Sequence, residues 1–161
     1  MTKDVNLIKK DRMRFTKNSL SATLCYIAIL FNVFYFVNIY STDVGTYYYT
    51  IQIGASVVYN LLFLLFTFLC SESVKNYSKG FSIFLIVIGA MQVVRILGIP
   101  TKAHEASIII NNASTTVMTD KQFVTVCAFL VISAACCIAA GVIGLLRTIT
   151  LENYKKETGL N

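Results

Sequence analysis

Hydrophobic positions in this chain fall into four long runs, at about 20–40, 50–70, 81–99 and 123–146, separated by polar stretches that hold nearly all of the charge. A membrane-spanning helix needs about 20 mostly apolar residues, because each residue rises about 1.5 Å and the hydrocarbon core is about 30 Å thick. Each run meets that length. The pattern therefore predicts an all-α polytopic membrane protein, with four transmembrane helices in an antiparallel bundle spanning residues 20–147. The first run follows a basic stretch, as a secretory signal peptide would. It is longer than a usual signal h-region, and no A-x-A-like site follows in Ser41-Thr-Asp-Val-Gly-Thr46, so it is read as a retained span.

The third run, Phe81 to Ile99, ends at Pro100, which is expected to stop the helix. Residues 100–122 then form a loop containing Lys102, His104, Glu105 and the short apolar run Ile108-Ile109-Ile110. It is the only connection long enough to have structure of its own. Tyr47-Tyr48-Tyr49, at the start of the second run, suit the headgroup boundary. Residues 1–19 read as a basic segment and 148–161 as a polar tail.

Composition agrees with a membrane setting. Of 161 residues, 56% are apolar and 14% charged, and the mean hydropathy is +0.67, too apolar for an ordinary soluble domain. The net charge of +6 is explained by placement and calls for no nucleic acid partner. Eleven of the 14 basic residues lie in the amino-terminal segment, the second connection and the carboxyl tail counted from Arg147. By the positive-inside rule both termini face the cytoplasm, and a cell (plasma) membrane location is expected. The amino-terminal segment interleaves its Lys and Arg with Val5, Ile8, Met13 and Phe15. A solvated tail is the first reading; a short amphipathic helix held to the surface by anionic headgroups is the second.

Polar residues inside the runs are few. Measured from the cytoplasmic edge of its run, each of Asn32, Asn60, Gln92 and Ser133 lies ten to thirteen residues in, which converts to about 15–20 Å at the helical rise. The four therefore share one mid-membrane level. Interhelical hydrogen bonding is the first expectation for them, and the lining of a substrate or ion path is the alternative. Arg95 lies one turn beyond Gln92 on the same face, four residues from Ile99. An arginine so placed can snorkel to the outer surface. Otherwise it is a functional cation for an anion or a partner's carboxylate, since no acidic residue occurs within the four runs. Neutral contacts open to it are Asn38, Gln52 and the tyrosines near the outer boundary.

The fourth run crowds small residues together. The pairs Cys137-x-x-x-Gly141 and Ala140-x-x-x-Gly144 make a helix-packing face of Cys137, Ala140, Gly141 and Gly144, for its own bundle first and for a neighbouring subunit as the alternative. Catalytic chemistry is not legible. Cys136-Cys137 is not a C-x-x-C motif, and His104 is the only histidine, expected to be solvated beside Glu105. No glycine-rich phosphate loop occurs, and the lack of an intramembrane acid weighs against proton-coupled transport. Asn112-Ala113-Ser114 matches a glycosylation sequon of low specificity. No cofactor is implied. The expectation is a non-enzymatic accessory subunit or scaffold of a membrane complex, with the bilayer and other membrane subunits, or itself, as partners. A self-associating channel or transporter is the alternative.

Overall fold

The computed structural model describes residues 7–8, 10–40, 50–105, 107–110, 113–116 and 118–159. Tyr47-Tyr48-Tyr49, Asn112, Val5 and the side chain of Gln52 lie outside the described residues. Helices α1 (Ser19–Ile39), α2 (Thr50–Lys75), α3 (Lys79–Ile96) and α5 (Asp120–Glu157) carry the four apolar runs. All four are long and apolar enough to cross a membrane. Between α3 and α5 stand a short helix, α4 (Ile99–Glu105), and an antiparallel ribbon of β1 (Ser107–Ile110) and β2 (Ala113–Thr116). Ser107 pairs with Thr116 and Ile110 with Ala113. The spans are helical, as expected, and among the described residues strands occur only in this connection.

Proline has the opposite effect from the one expected. Helix α3 ends at Ile96, and the turn at Leu97-Gly98 is closed by Leu97 N to Val94 O (3.1 Å) and Gly98 N to Arg95 O (3.0 Å). Pro100 is the second residue of α4, where its missing N–H has no helical acceptor to lose and its fixed φ suits the first turn. It starts a helix instead of stopping one. The carboxyl tail also departs from expectation, because α5 continues 11 residues past Leu146 to Glu157. Thr148, Leu151 and Tyr154 are buried on that extension. The Tyr154 hydroxyl donates to Asp11 Oδ1 at 3.4 Å, so the amino-terminal segment covers this face. At its start, α5 is capped by Thr119, whose hydroxyl accepts from Gln122 N at 3.3 Å.

Neighbouring spans run antiparallel. Tyr26 of α1 bonds Glu72 of α2 (2.8 Å) while Asn32 reaches Asn60 (3.4 Å). Phe66 of α2 packs edge-on against Phe84 of α3, and Ser133 of α5 donates to Ala28 O of α1 at 2.9 Å. The interior holds polar side chains, among them Ser21, Asn32, Asn60, Thr67, Ser71, Ser82, Gln92 and Ser133. Leu30, Val37, Leu61, Leu65, Ile83, Val87, Val94 and Val131 point outward. Apolar side chains outside and polar ones inside is the arrangement that hydrocarbon solvent selects.

Two apolar clusters fill the core at different levels. Cys25, Ala28, Phe63, Cys70, Val74, Leu85, Ile88, Cys137 and Ala140 make the one nearer the termini. Tyr35, Ile39, Ala103, Met118, Val126 and Leu130 make the other, which joins α4 to α1 and α5. Asn32, Gln92 and Ser133 each lie, along their own helices, between a member of the first cluster and a residue of the second or packed on it.

Candidate functional site

The polar level between the clusters is organised by Asn32. Its Nδ2 donates to Asn60 Oδ1 at 3.4 Å, and its Oδ1 accepts from Gln92 Nε2 at 3.2 Å and from Arg95 Nη1 at 3.4 Å. Asn60 Nδ2 turns back to Ser56 O at 2.9 Å. Three spans are thus joined through one amide, and Asn32, Asn60 and Gln92 are all fully buried. Ser133 is at the same level but outside this network, since its hydroxyl goes to the α1 backbone at Ala28. An α-helical serine beside a facing backbone can bond it directly, without needing a side-chain partner.

Arg95 does not snorkel. Its guanidinium carbon lies 4.3 Å from the Tyr35 ring centroid and 4.8 Å from that of Tyr59, so the cation is held by two aromatic faces from α1 and α2. Helical side chains lean toward the helix N-terminus, and for a residue near the end of α3 that direction is back into the bundle. Together the lean, the two rings and the Asn32 oxygen hold the side chain inward. The two rings lie within the spans and are not the outer-boundary tyrosines expected from the sequence; Asn38 Nδ2 donates to Phe34 O at 3.0 Å. Among the described residues, Arg95 Nη2, the Tyr35 hydroxyl and Gln92 Oε1 are buried without a hydrogen bond, an arrangement costly in a low dielectric.

Beside this group lies a cleft of about 340 Å3 whose walls include Tyr59 and Ser56 of α2, Met91 and Val94 of α3, and Gly98. Tyr35 and Arg95 also line it. Met91 and Val94 are exposed on the outer surface of the bundle, so the cleft opens sideways between α2 and α3 toward the surroundings of the span. Among the described residues its lining carries no polar side chain apart from Ser56, Arg95 and the tyrosine hydroxyls.

The small residues of α5 serve its contact with α3. A Cβ built on Gly141 would come within 2.6 Å of Ser82 O, and one on Gly144 within 2.8 Å of both Ser82 Oγ and Val74 Cγ1. The facing helix contributes Gly89, where a Cβ would meet Ile138 Cγ1 at 2.6 Å and Ala134 O at 3.1 Å. Cys137 and Ala140 are fully buried beside this seam. The helix-packing face is therefore occupied within the chain. All five cysteines are free thiols, and Cys25, Cys70 and Cys137 are buried. His104 is not simply solvated: its Nε2 lies 2.9 Å from Asp120 Oδ1, and its ring stacks on Phe123 at 4.4 Å, fastening α4 to α5. Among the described residues no three His, Cys, Asp or Glu side chains come close enough to hold a metal ion.

Sequence patterning left four contributors unnamed. Tyr35 and Tyr59 read as ordinary members of apolar runs; their signal is the spacing of Tyr35 three residues after Asn32 and the adjacency of Tyr59 to Asn60. Gly89 was signalled by Gly89-Ala90 within a run of bulky residues. Asn18 precedes the first apolar run by two positions; it is fully buried and takes Arg147 Nη1 on its Oδ1 at 2.8 Å. A pre-helical Asn is a capping signal, but here the side chain bonds Ser21 Oγ at 2.8 Å while the Asn18 N–H bonds Lys75 O at 3.0 Å.

These features place the chain in the class of multi-pass helical membrane proteins, here with an arginine enclosed inside the bundle. Compared with protein-family models, curated proteins and solved structures, the chain matches none.

Proposed function

We propose that the chain is a non-enzymatic integral protein of the cell membrane, with both termini cytoplasmic, that acts as an accessory or scaffold subunit and receives its partner at the Arg95 cleft. The observation that carries this reading is a cation held between Tyr35 and Tyr59, with one nitrogen unbonded among the described residues, beside a cleft open to the side of the bundle. No acid in the four runs can answer it. A charge inside a span is costly enough that it is normally matched. A carboxylate on an apolar segment of another subunit would supply both charge and acceptors, and carboxylate–guanidinium pairs are strong, directional hydrogen bonds.

The channel alternative needs its amides turned toward a water path, whereas Asn32, Asn60 and Gln92 bond one another and Arg95. The small-residue face of α5 gives no support to docking, because α3 already fills it. Cytoplasmic termini rest on charge placement: the amino-terminal segment, the α2–α3 turn and the end of α5 meet at one end of the bundle, and they hold eleven of the 14 basic residues.

The test uses a photoreactive phenylalanine analogue in place of Val87, which is exposed one turn before Met91 on α3 and outside the cleft lining, in native membranes. One cross-linked partner is expected, joined at an apolar segment that bears Asp or Glu, with the adduct lost on Arg95→Gln and retained on Arg95→Lys. Monomers alone from mild detergent, with no adduct that depends on Arg95, would overturn the proposal. Circular dichroism on each variant separates loss of the partner from loss of the fold.

A further inference from the structure

At the end of the bundle that holds the termini, two adjoining cavities are lined by cations from three separate segments. The larger, about 480 Å3, has Arg14 and Lys17 from the amino-terminal segment, Lys75 from the end of α2 and Lys155 from the end of α5. The smaller, about 240 Å3, shares Lys17 and Tyr77 with it and adds Arg12 and Arg147. Among the described residues no carboxylate lines either one. Concentrating six cations around two connected spaces raises the local anion concentration, and a concave shape with few counter-charges strengthens that field.

The charges differ in how far they are already answered. Arg14 lies 3.4 Å from Asp11 and Lys75 lies 2.6 Å from Glu72. Arg147 donates to the neutral Asn18 oxygen. Lys17, Lys155 and Arg12 form no ion pair among the described residues. Tyr77 separates the cavities and lines both. Its φ of +59° is an unfavourable conformation for a bulky side chain. The turn holds it there through Tyr77 N to Val74 O (3.1 Å) and Ser78 N to Ser73 O (3.3 Å).

Depth decides what kind of anion reaches this place. Arg147 bonds Asn18, the residue directly before α1, which marks the end of the span. Leu151 and Lys155 lie one and two turns farther along α5, about 6 and 12 Å beyond it. The Leu151 level falls in the polar headgroup layer, which adds about 5–8 Å on each side of the hydrocarbon; the Lys155 backbone stands about 4 Å farther out, and a helical side chain there leans back toward the helix N-terminus and the membrane. Phe15 stands at the rim of the larger cavity, 80% exposed, with Leu151 also in the lining. An apolar rim beside a cationic floor suits a ligand whose charged head is attached to hydrocarbon.

We propose that these cavities bind the phosphomonoester headgroup of an anionic phospholipid in the leaflet facing the terminal end of the bundle. A phosphomonoester carries a charge of about −1.5 to −2 at neutral pH, matching the unanswered pair Lys17 and Lys155. A phosphodiester headgroup offers only one negative charge, and a zwitterionic one offers none in net. Tyr77 and Thr16 also line the space, the Thr16 hydroxyl donating to Arg12 O at 3.0 Å.

The experiment titrates the purified full-length protein in detergent with dioctanoyl phosphatidate, dioctanoyl phosphatidylglycerol, dioctanoyl phosphatidylcholine and inorganic phosphate, read by native mass spectrometry and by the shift in melting temperature. Phosphatidate is expected to bind at least tenfold more tightly than phosphatidylglycerol and to raise the melting temperature. That advantage should shrink at pH 5, where the headgroup approaches a single charge. The double variant Lys17→Gln with Lys155→Gln changes two exposed side chains and should lose tenfold or more in phosphatidate affinity, with its melting temperature without lipid unchanged. Equal binding of phosphatidylcholine would reduce the site to an apolar surface and overturn the proposal. Inorganic phosphate binding as tightly as phosphatidate would overturn the lipid assignment, and so would an unaltered affinity in the double variant.

Discussion

Along one face, α3 meets α5 through Gly89, Gly141 and Gly144, with backbone close enough that a methyl group at Gly141 would strike Ser82 O. Along another, α3 meets α2 across the 340 Å3 cleft beside Arg95. The same helix therefore has one seam closed to the limit of van der Waals contact and one left open. Lipid tails are as apolar as leucine, so close packing and hydrogen bonds hold spans together. The glycine seam has the first, and the Asn32 network bridges α1, α2 and α3 near the level where the α2–α3 contact opens into the cleft. This arrangement lets the bundle keep its shape while a cavity persists in its side.

The largest effect that can test the contrast is at Gly141. Gly141→Leu has to move backbone atoms of α3, and overpacking of this kind costs about 1–3 kcal/mol and at times more; a loss near the top of that range is expected on unfolding in detergent. If Gly141→Leu were tolerated, the closed seam would be as adaptable as the open one and the contrast would fail. Next comes Asn32→Leu, which removes one amide and leaves Asn60, Gln92 and Arg95 each short of a bond. Stranded polar groups cost about 1–3 kcal/mol, but measured bonds between spans average about 0.6, so about 2 kcal/mol is expected for the three. Gln92→Leu, which breaks one of these bonds, should cost roughly a third of that.

Much of this architecture is legible in the chain because spans are long, and their length and apolarity depend on nothing nonlocal. Four helices follow from the runs alone. Shared depth also placed Asn32, Asn60 and Gln92 at one level, since rise per residue is fixed. Direction is a different matter. Whether Arg95 points outward or inward depends on Tyr35 and Tyr59, which stand on other helices, and whether Pro100 ends or begins a helix depends on where the turn at Leu97-Gly98 falls. Likewise, the small-residue pattern of α5 shows that something packs closely there without saying what. Gly89 on α3 is the complement, and only the two together identify an internal contact.

Gly144→Ala sharpens the contrast within the closed seam. Its added methyl meets Ser82 Oγ and Val74 Cγ1, both side-chain atoms, whereas at Gly141 the nearest atom is the backbone oxygen of Ser82. Side chains can rotate away where backbone cannot, so Gly144→Ala should cost about 1 kcal/mol, less than Gly141→Ala measured in the same assay.

The smallest expected effect is at the open seam, and it separates stability from binding. Met91 lines the cleft and is half exposed, so Met91→Phe can place its ring in empty space without displacing a neighbour. Substitutions at such positions usually change stability by no more than about 0.5 kcal/mol, and an unchanged unfolding curve is expected. The same ring would occupy the approach to Arg95, so a partner that reaches the guanidinium through this opening should be lost from native membranes. Gly141→Leu would abolish partner binding only by unfolding the chain, whereas Met91→Phe would abolish it in a folded one. If Met91→Phe kept the partner, the cleft would not be the route to Arg95; if it destabilised the bundle as much as Gly141→Leu, the seam would be closed after all.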